Sequence, residues 1–99
     1  MTTSPQTLIK QPAENRLYDF DFVNLLPAGA SVASVEHLAA TLEDGTGEIK
    51  LGTPVISGTR VQVRVEGGSD GALHKITCRV TDTVGNVVEQ EGLLKIDDI

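Results

Sequence analysis

Residues 61–96 read VQVRVEGGSDGALHKITCRVTDTVGNVVEQEGLLKI. Val61, Val63 and Val65 alternate with Gln62, Arg64 and Glu66. A period of two with apolar residues on one face is the mark of a half-buried strand. The turn cluster Glu66–Gly71 follows, with three glycines. Ile76, Cys78 and Val80 then alternate with Thr77, Arg79 and Thr81, and His74 falls on the Ile76 face. A lone histidine at the start of a buried face reads as a satisfied core-edge residue before it reads as a ligand. Val84-Gly85-Asn86 makes a hairpin turn. Val87–Ile96 is the last strand, and Gly92 predicts a bulge or kink in it. Three consecutive strands joined by tight turns set the fold class as all-β.

Working toward the N-terminus, Ser57-Gly58 turns, Val55-Ile56 and Ile49–Leu51 are short strands, and "EDGTGE" at 43–48 is a turn containing Asp44-Gly45. Ser31–Leu42 is ambiguous. Val32, Val35, Ala39 and Leu42 recur at helical spacing, with Ser31 available as an N-cap. A strand would instead put Val32, Leu38, Ala40 and Leu42 on one face, with a fault near Glu36. The flanking strands and turns favour the strand. Leu25–Gly29 is a turn. Before it, Tyr18, Phe20 and Phe22 alternate with Leu17, Asp19 and Asp21, so one face collects every aromatic in the chain. Asp19 and Asp21 share the opposite face. With no His or metal-ligand cluster beside them, they read as a solvated face rather than an acid/base pair.

Residues 1–16 are polar and interrupted by Pro5 and Pro12. Thr7–Lys10 could be an edge strand, which prolines tolerate. The rest of this arm is expected to be flexible, or to order against a partner. The expected organisation is an N-terminal arm over 1–16 and a domain over 17–99. Turn signals at about 8–12 residue spacing point to an immunoglobulin-like antiparallel β-sandwich of about seven strands.

The chain has 99 residues, enough for one small core. Its formal charge is −6, and its eight Lys plus Arg are scattered. Phosphate binding needs a clustered positive field, so no nucleic-acid partner and no anionic membrane partner is expected. No apolar stretch approaches the roughly 20 residues of a membrane span. The first residues lack a basic region followed by an apolar one, so no signal peptide is expected, and synthesis in a reducing cytoplasm is. The single Cys78 reads as a buried small hydrophobe.

Catalytic constellations are missing: no Gly-x-Ser-x-Gly elbow, no phosphate-binding Gly-Lys-Ser/Thr loop and no His-Glu-x-x-His. Gly67-Gly68-Ser69-Asp70-Gly71 leads into a strand, whereas phosphate loops open a helix. Asp44 with Glu43 and Glu48, or Asp70 alone, could be imagined around calcium, but the spacing fits no EF-hand loop. His37 is too far from His74 in sequence to pair with it by any spacing argument. No catalytic, cofactor-binding or metal-binding residue is therefore expected, and no cofactor.

The succession "YDFDFVNLLPAGASVASVEHL" (18–38) and "GGSDGALHKITCRVTDTVGNVVEQEGLLKI" (67–96) resembles a family of small immunoglobulin-like structural proteins of tailed bacteriophages. Tyr18, Phe20 and Phe22 match the family's aromatic/acidic strand. Leu26 and Gly29 match its turn, and Gly67, Gly68 and Gly71 its second turn. Ile76, Cys78, Val80, Thr83, Gly85 and Glu89 match its closing hairpin. His74 stands where such sequences usually carry Tyr, and this chain has no Trp. The resemblance implies a non-enzymatic virion protein, an adaptor joining neck or tail and fibre components. It would be assembled in the host cytoplasm, in several copies in a symmetric array. Its partners would be other virion proteins, neck, tail or fibre subunits or the capsid. The alternatives are a capsid decoration protein, or a carbohydrate- or host-surface-binding module. The last is disfavoured because sugar sites use aromatic platforms.

Overall fold

The computed structural model describes residues 6–98. The strands are β1 (Gln6–Lys10), β2 (Arg16–Asp21), β3 (Val32–Asp44), β4 (Ile49–Leu51), β5 (Val55–Ser57), β6 (Arg60–Gly67), β7 (Leu73–Asp82) and β8 (Val87–Ile96). They form two sheets. One has the order β1-β8-β7-β3; the other has β2-β6-β4, with β5 also paired to β6. The architecture is the expected all-β sandwich, with eight strands where about seven were expected.

The core is the layer between the sheets. Phe20, Phe22, Val61, Val63 and Val65 face it from one sheet, and Ile76, Cys78, Val80, Leu94 and Ile96 from the other. Each side chain of this size contributes about 1.5–3 kcal/mol when fully buried. Gly92 faces the ring of Phe20: a Cβ built there would lie 3.6 Å from Cε1. The glycine expected to bulge β8 instead keeps regular register with Ile76, and a Cβ there would make only an ordinary contact with the ring.

Ser31–Leu42 is a strand, and its helix-like spacing has a physical cause. Against β7 the register of β3 slips between Val32 and Ser34, between Val35 and His37, and between Leu42 and Asp44. Each slip inserts one extra residue, Ala33, Glu36 and Glu43 in turn. A bulge adds one residue to the repeat of two. The inward positions therefore become Val32, Val35 and Leu38, spaced by three. The fault expected near Glu36 is the second bulge.

One feature differs from expectation. The sandwich is not wholly antiparallel, because β1 runs parallel to β8 from Gln6↔Gly92 to Lys10↔Ile96. The arm expected over 1–16 contributes this strand, and its remainder to residue 15 is a connection with a Glu14 N–H to Gln11 O bond of 3.1 Å. Its first five residues lie outside the described residues. Among the described residues no helix is long and apolar enough to cross a membrane.

Candidate interaction surfaces

The two ends of the sandwich differ in chemistry. The first end gathers the loops 22–31, 58–59 and 83–86. Backbone bonds tie them together: Val32 N–H donates to Gly58 O at 2.9 Å, Thr83 N–H to Ser31 O at 2.9 Å and Phe22 N–H to Thr59 O at 2.9 Å. Two carboxylates fix the loops from beneath. Asp82, buried, accepts from Val84 N–H at 2.9 Å and Asn86 N–H at 2.8 Å, and from the Asn86 amide at 2.9 Å. Burial pushes its pKa up, but these hydrogen bonds outweigh that and hold it below the usual carboxylate range. Asp21 accepts from Val23 N–H at 3.0 Å, from the Thr59 hydroxyl at 3.0 Å and from Arg60 Nε at 3.3 Å. The Val23 bond, with the others, lowers its pKa against a partial burial that would raise it. The solvated-face reading holds for Asp19, which is exposed; Asp21 is in addition a loop fastener.

With its backbone held this way, the end presents apolar side chains outward. Val84 is 67% exposed and Val23 53%. Leu25 is exposed beside them, while Leu26 turns in against the core. Val87 is exposed at the adjoining start of β8. Single surface hydrophobes are ordinary; several exposed on hydrogen-bonded loops at one end make that end a candidate docking face.

The opposite end gathers the loops 11–15, 43–48 and 67–72 and the C-terminal residues 97–98. It is rich in carboxylates, among them Glu14, Asp44, Glu48, Asp70 and Asp97. Lys10 lies beneath them and is fully buried. Its ammonium donates to Gly67 O at 2.7 Å, Gln11 O at 2.8 Å and Pro12 O at 3.3 Å. Lys10 belongs to the sheet of β8, and Gly67 ends β6 in the other sheet. One side chain therefore staples the two sheets at this end. Burial pulls its pKa down, and the negative charges of Glu14 and Glu66 partly restore it. The sequence placed Lys10 on an edge strand and gave it no role. The available signal was its period-two relation to Leu8, which also faces the core.

The residues weighed for chemistry do not assemble into a site. Asp44 accepts from Gly45 N–H at 3.0 Å, and Asp70 from Asp98 N–H at 2.9 Å. Among the described residues no three His, Cys, Asp or Glu side chains converge as metal ligands would. His37 pairs with Arg79 on the outer face, whereas His74 is on the inner face and buried. Cys78 is buried, and burial pushes its thiol up to about 11. The 67–71 loop is a turn between β6 and β7.

Among the described residues, a hollow lies at each of two open seams of the sandwich. Between β1 and β2 a cavity of about 60 Å³ is lined by Leu8, Tyr18, Phe20 and Ile76. Between β3 and β4 a wider groove of about 470 Å³ is lined by Ala40, Leu42, Gly47, Glu48, Ile49 and His74.

Residues 10–95 match the family model described as podophage GP4 fiber-tail adaptor protein gp77. The search of curated proteins returns no match. The matched span runs from the stapling Lys10 nearly to the end of β8, so it takes in almost the whole sandwich. This chain belongs to the gp77 fiber-tail adaptor family of podophages.

Proposed function

We propose that this chain is a non-enzymatic virion adaptor that joins tail and fibre components by docking its two unlike ends on two different subunits. Family membership supports the adaptor role, and the observation that carries the two-ended reading is the contrast between the ends. Val23, Leu25 and Val84 form an apolar face on loops braced by Asp21 and Asp82. The other end is crowded with carboxylates above Lys10. Apolar cores of interfaces supply affinity, and charged rims supply orientation and partner choice. A symmetric tail would carry several copies, each bridging the same pair of neighbours.

The test replaces Val84 and Leu25 together by Asp. Both side chains are exposed, so the variant is expected to melt with the parent protein. Its incorporation into particles, read by quantitative mass spectrometry of purified virions, is expected to fall at least tenfold. Normal incorporation of a folded double variant would sink the apolar-end contact.

A further inference from the structure

The groove between β3 and β4 holds three observations that the fold alone does not explain. First, Leu42 faces inward from β3, opposite His74, yet it is 42% exposed. The 43–48 loop does not cover it. Gly45 and Gly47 draw that loop onto the 67–72 turn instead: a Cβ on Gly45 would stand 2.8 Å from the Ala72 backbone. Second, His74 is only 2% exposed, and its Nε2 has no hydrogen-bond partner. Buried polar atoms are nearly always paired, and one left unpaired costs about 1–3 kcal/mol. Burial lowers the pKa of this imidazole, so the neutral ring is favoured, with one nitrogen a donor and the other an acceptor. Third, Glu48 at the rim forms no ion pair among the described residues, and Asp44 nearby likewise forms none. The groove thus has apolar walls, an unpaired imidazole nitrogen in its floor and a free carboxylate at its mouth.

We infer that this groove seats a Lys or Arg side chain carried by an extended segment of a neighbouring virion protein. The aliphatic stem lies on Leu42 and Ile49, the cationic head is held by Glu48, and a backbone N–H or C=O of the segment pairs with His74 Nε2. Long basic side chains bury their stems while keeping the charge near a polar rim. The flanking strands suit such a segment. β3 ends one sheet and β4 the other, so both present free backbone groups along the groove. The inference rests on the adaptor reading and names one contact within it.

Three pentapeptides that differ only at the central residue serve as probes: Lys, its uncharged isostere norleucine, and Glu. Binding is followed by NMR at millimolar peptide, through the ring nitrogens of His74 and the amides of Glu48 and Ile49. The Lys peptide is expected to shift all three sites. The other two peptides are expected to bind at least tenfold more weakly, and Glu48→Lys to abolish the difference. Equal binding of the three peptides, shifts elsewhere on the domain, or no shift at all would each overturn the inference. Particle incorporation separates the two readings. If Glu48→Lys enters virions normally while the Val84/Leu25 double variant does not, the adaptor reading stands and the groove contact falls. If both enter normally, both fall.

Discussion

Replacing Lys10 by Met is the most direct probe of how the two sheets are held together. Met keeps most of the buried stem and removes the ammonium, along with its bonds of 2.7 and 2.8 Å to Gly67 O and Gln11 O. Hydrogen bonds from a charged donor are worth about 1.5–3 kcal/mol each. Against them stands the desolvation of a buried ammonium, itself several kcal/mol. Gln11 and Pro12 are only half-buried, so water can replace the lost donor at their carbonyls. Gly67 O, held by the shortest of the bonds, loses its cross-sheet partner; Gly67 is exposed, so the loss is that of one charge-assisted bond between the sheets, about 1.5–3 kcal/mol, rather than of a stranded buried group. The expected net loss for Lys10→Met is therefore about 2 kcal/mol. For a domain of this size each kcal/mol moves Tm by about 4–8 °C, so a drop of about 8–16 °C is expected in thermal circular dichroism. Lys10→Ala, which also opens a cavity, should lose about 3–5 kcal/mol. A Lys10→Met protein that melts with or above the parent would refute the staple. It would mean that desolvation cancels the bonds, as happens at many buried ion pairs.

Three further outcomes are expected. In the unfolded chain His74 takes up a proton at about pH 6.5, whereas in the fold its pKa is lowered. Stability linked to His74 is therefore complete above about 6.5 and is lost as pH falls toward the lower folded value. His74→Leu should remove this loss and melt at or above the parent at pH 5; parallel pH profiles for the two proteins would contradict it. Cys78, with its thiol buried and pushed up to about 11, should react with a thiol reagent only when the domain unfolds. Labelling of native protein faster than its unfolding rate would show the thiol to be reachable. Gly68 has φ of +102°, and a Cβ there would lie 2.8 Å from the Ile96 side chain. Gly68→Ala should cost about 2–4 kcal/mol in urea unfolding through backbone strain and overpacking.

The parts of the fold that were readable in the sequence are those where the period of two runs unbroken. Val61–Val65 and His74–Val80 declare their inward faces by alternation alone, and the structure buries those residues. β3 was hard to read because its bulges at Ala33, Glu36 and Glu43 depend on register against β7, which is a non-local property. The parallel pairing of β1 with β8 joins residues more than 80 positions apart, and nothing local encodes it. Lys10 was missed because a lysine is almost never fully buried, so composition argues against it. His74 was read as a hydrogen-bonded residue at the core edge; it is buried there, but its Nε2 has no partner, which alternation cannot reveal. The groove beside it could not be seen from sequence, because it exists only where β3 and β4, on different sheets, fail to close over one another.

The direction of β1 also bears on how the domain carries tension. Because β1 runs parallel to β8, pulling residue 6 and residue 98 apart along the strands drags β1 backward past its neighbour. The hydrogen bonds between them are then strained together, in shear. Two antiparallel strands pulled from one end would open like a zipper, one bond at a time. The Lys10 ammonium, at the far end of β1, must be drawn out of its three carbonyls in the same event. A pull on residues 6 and 98 along the strands thus loads these bonds and the Lys10 contacts together at its first step.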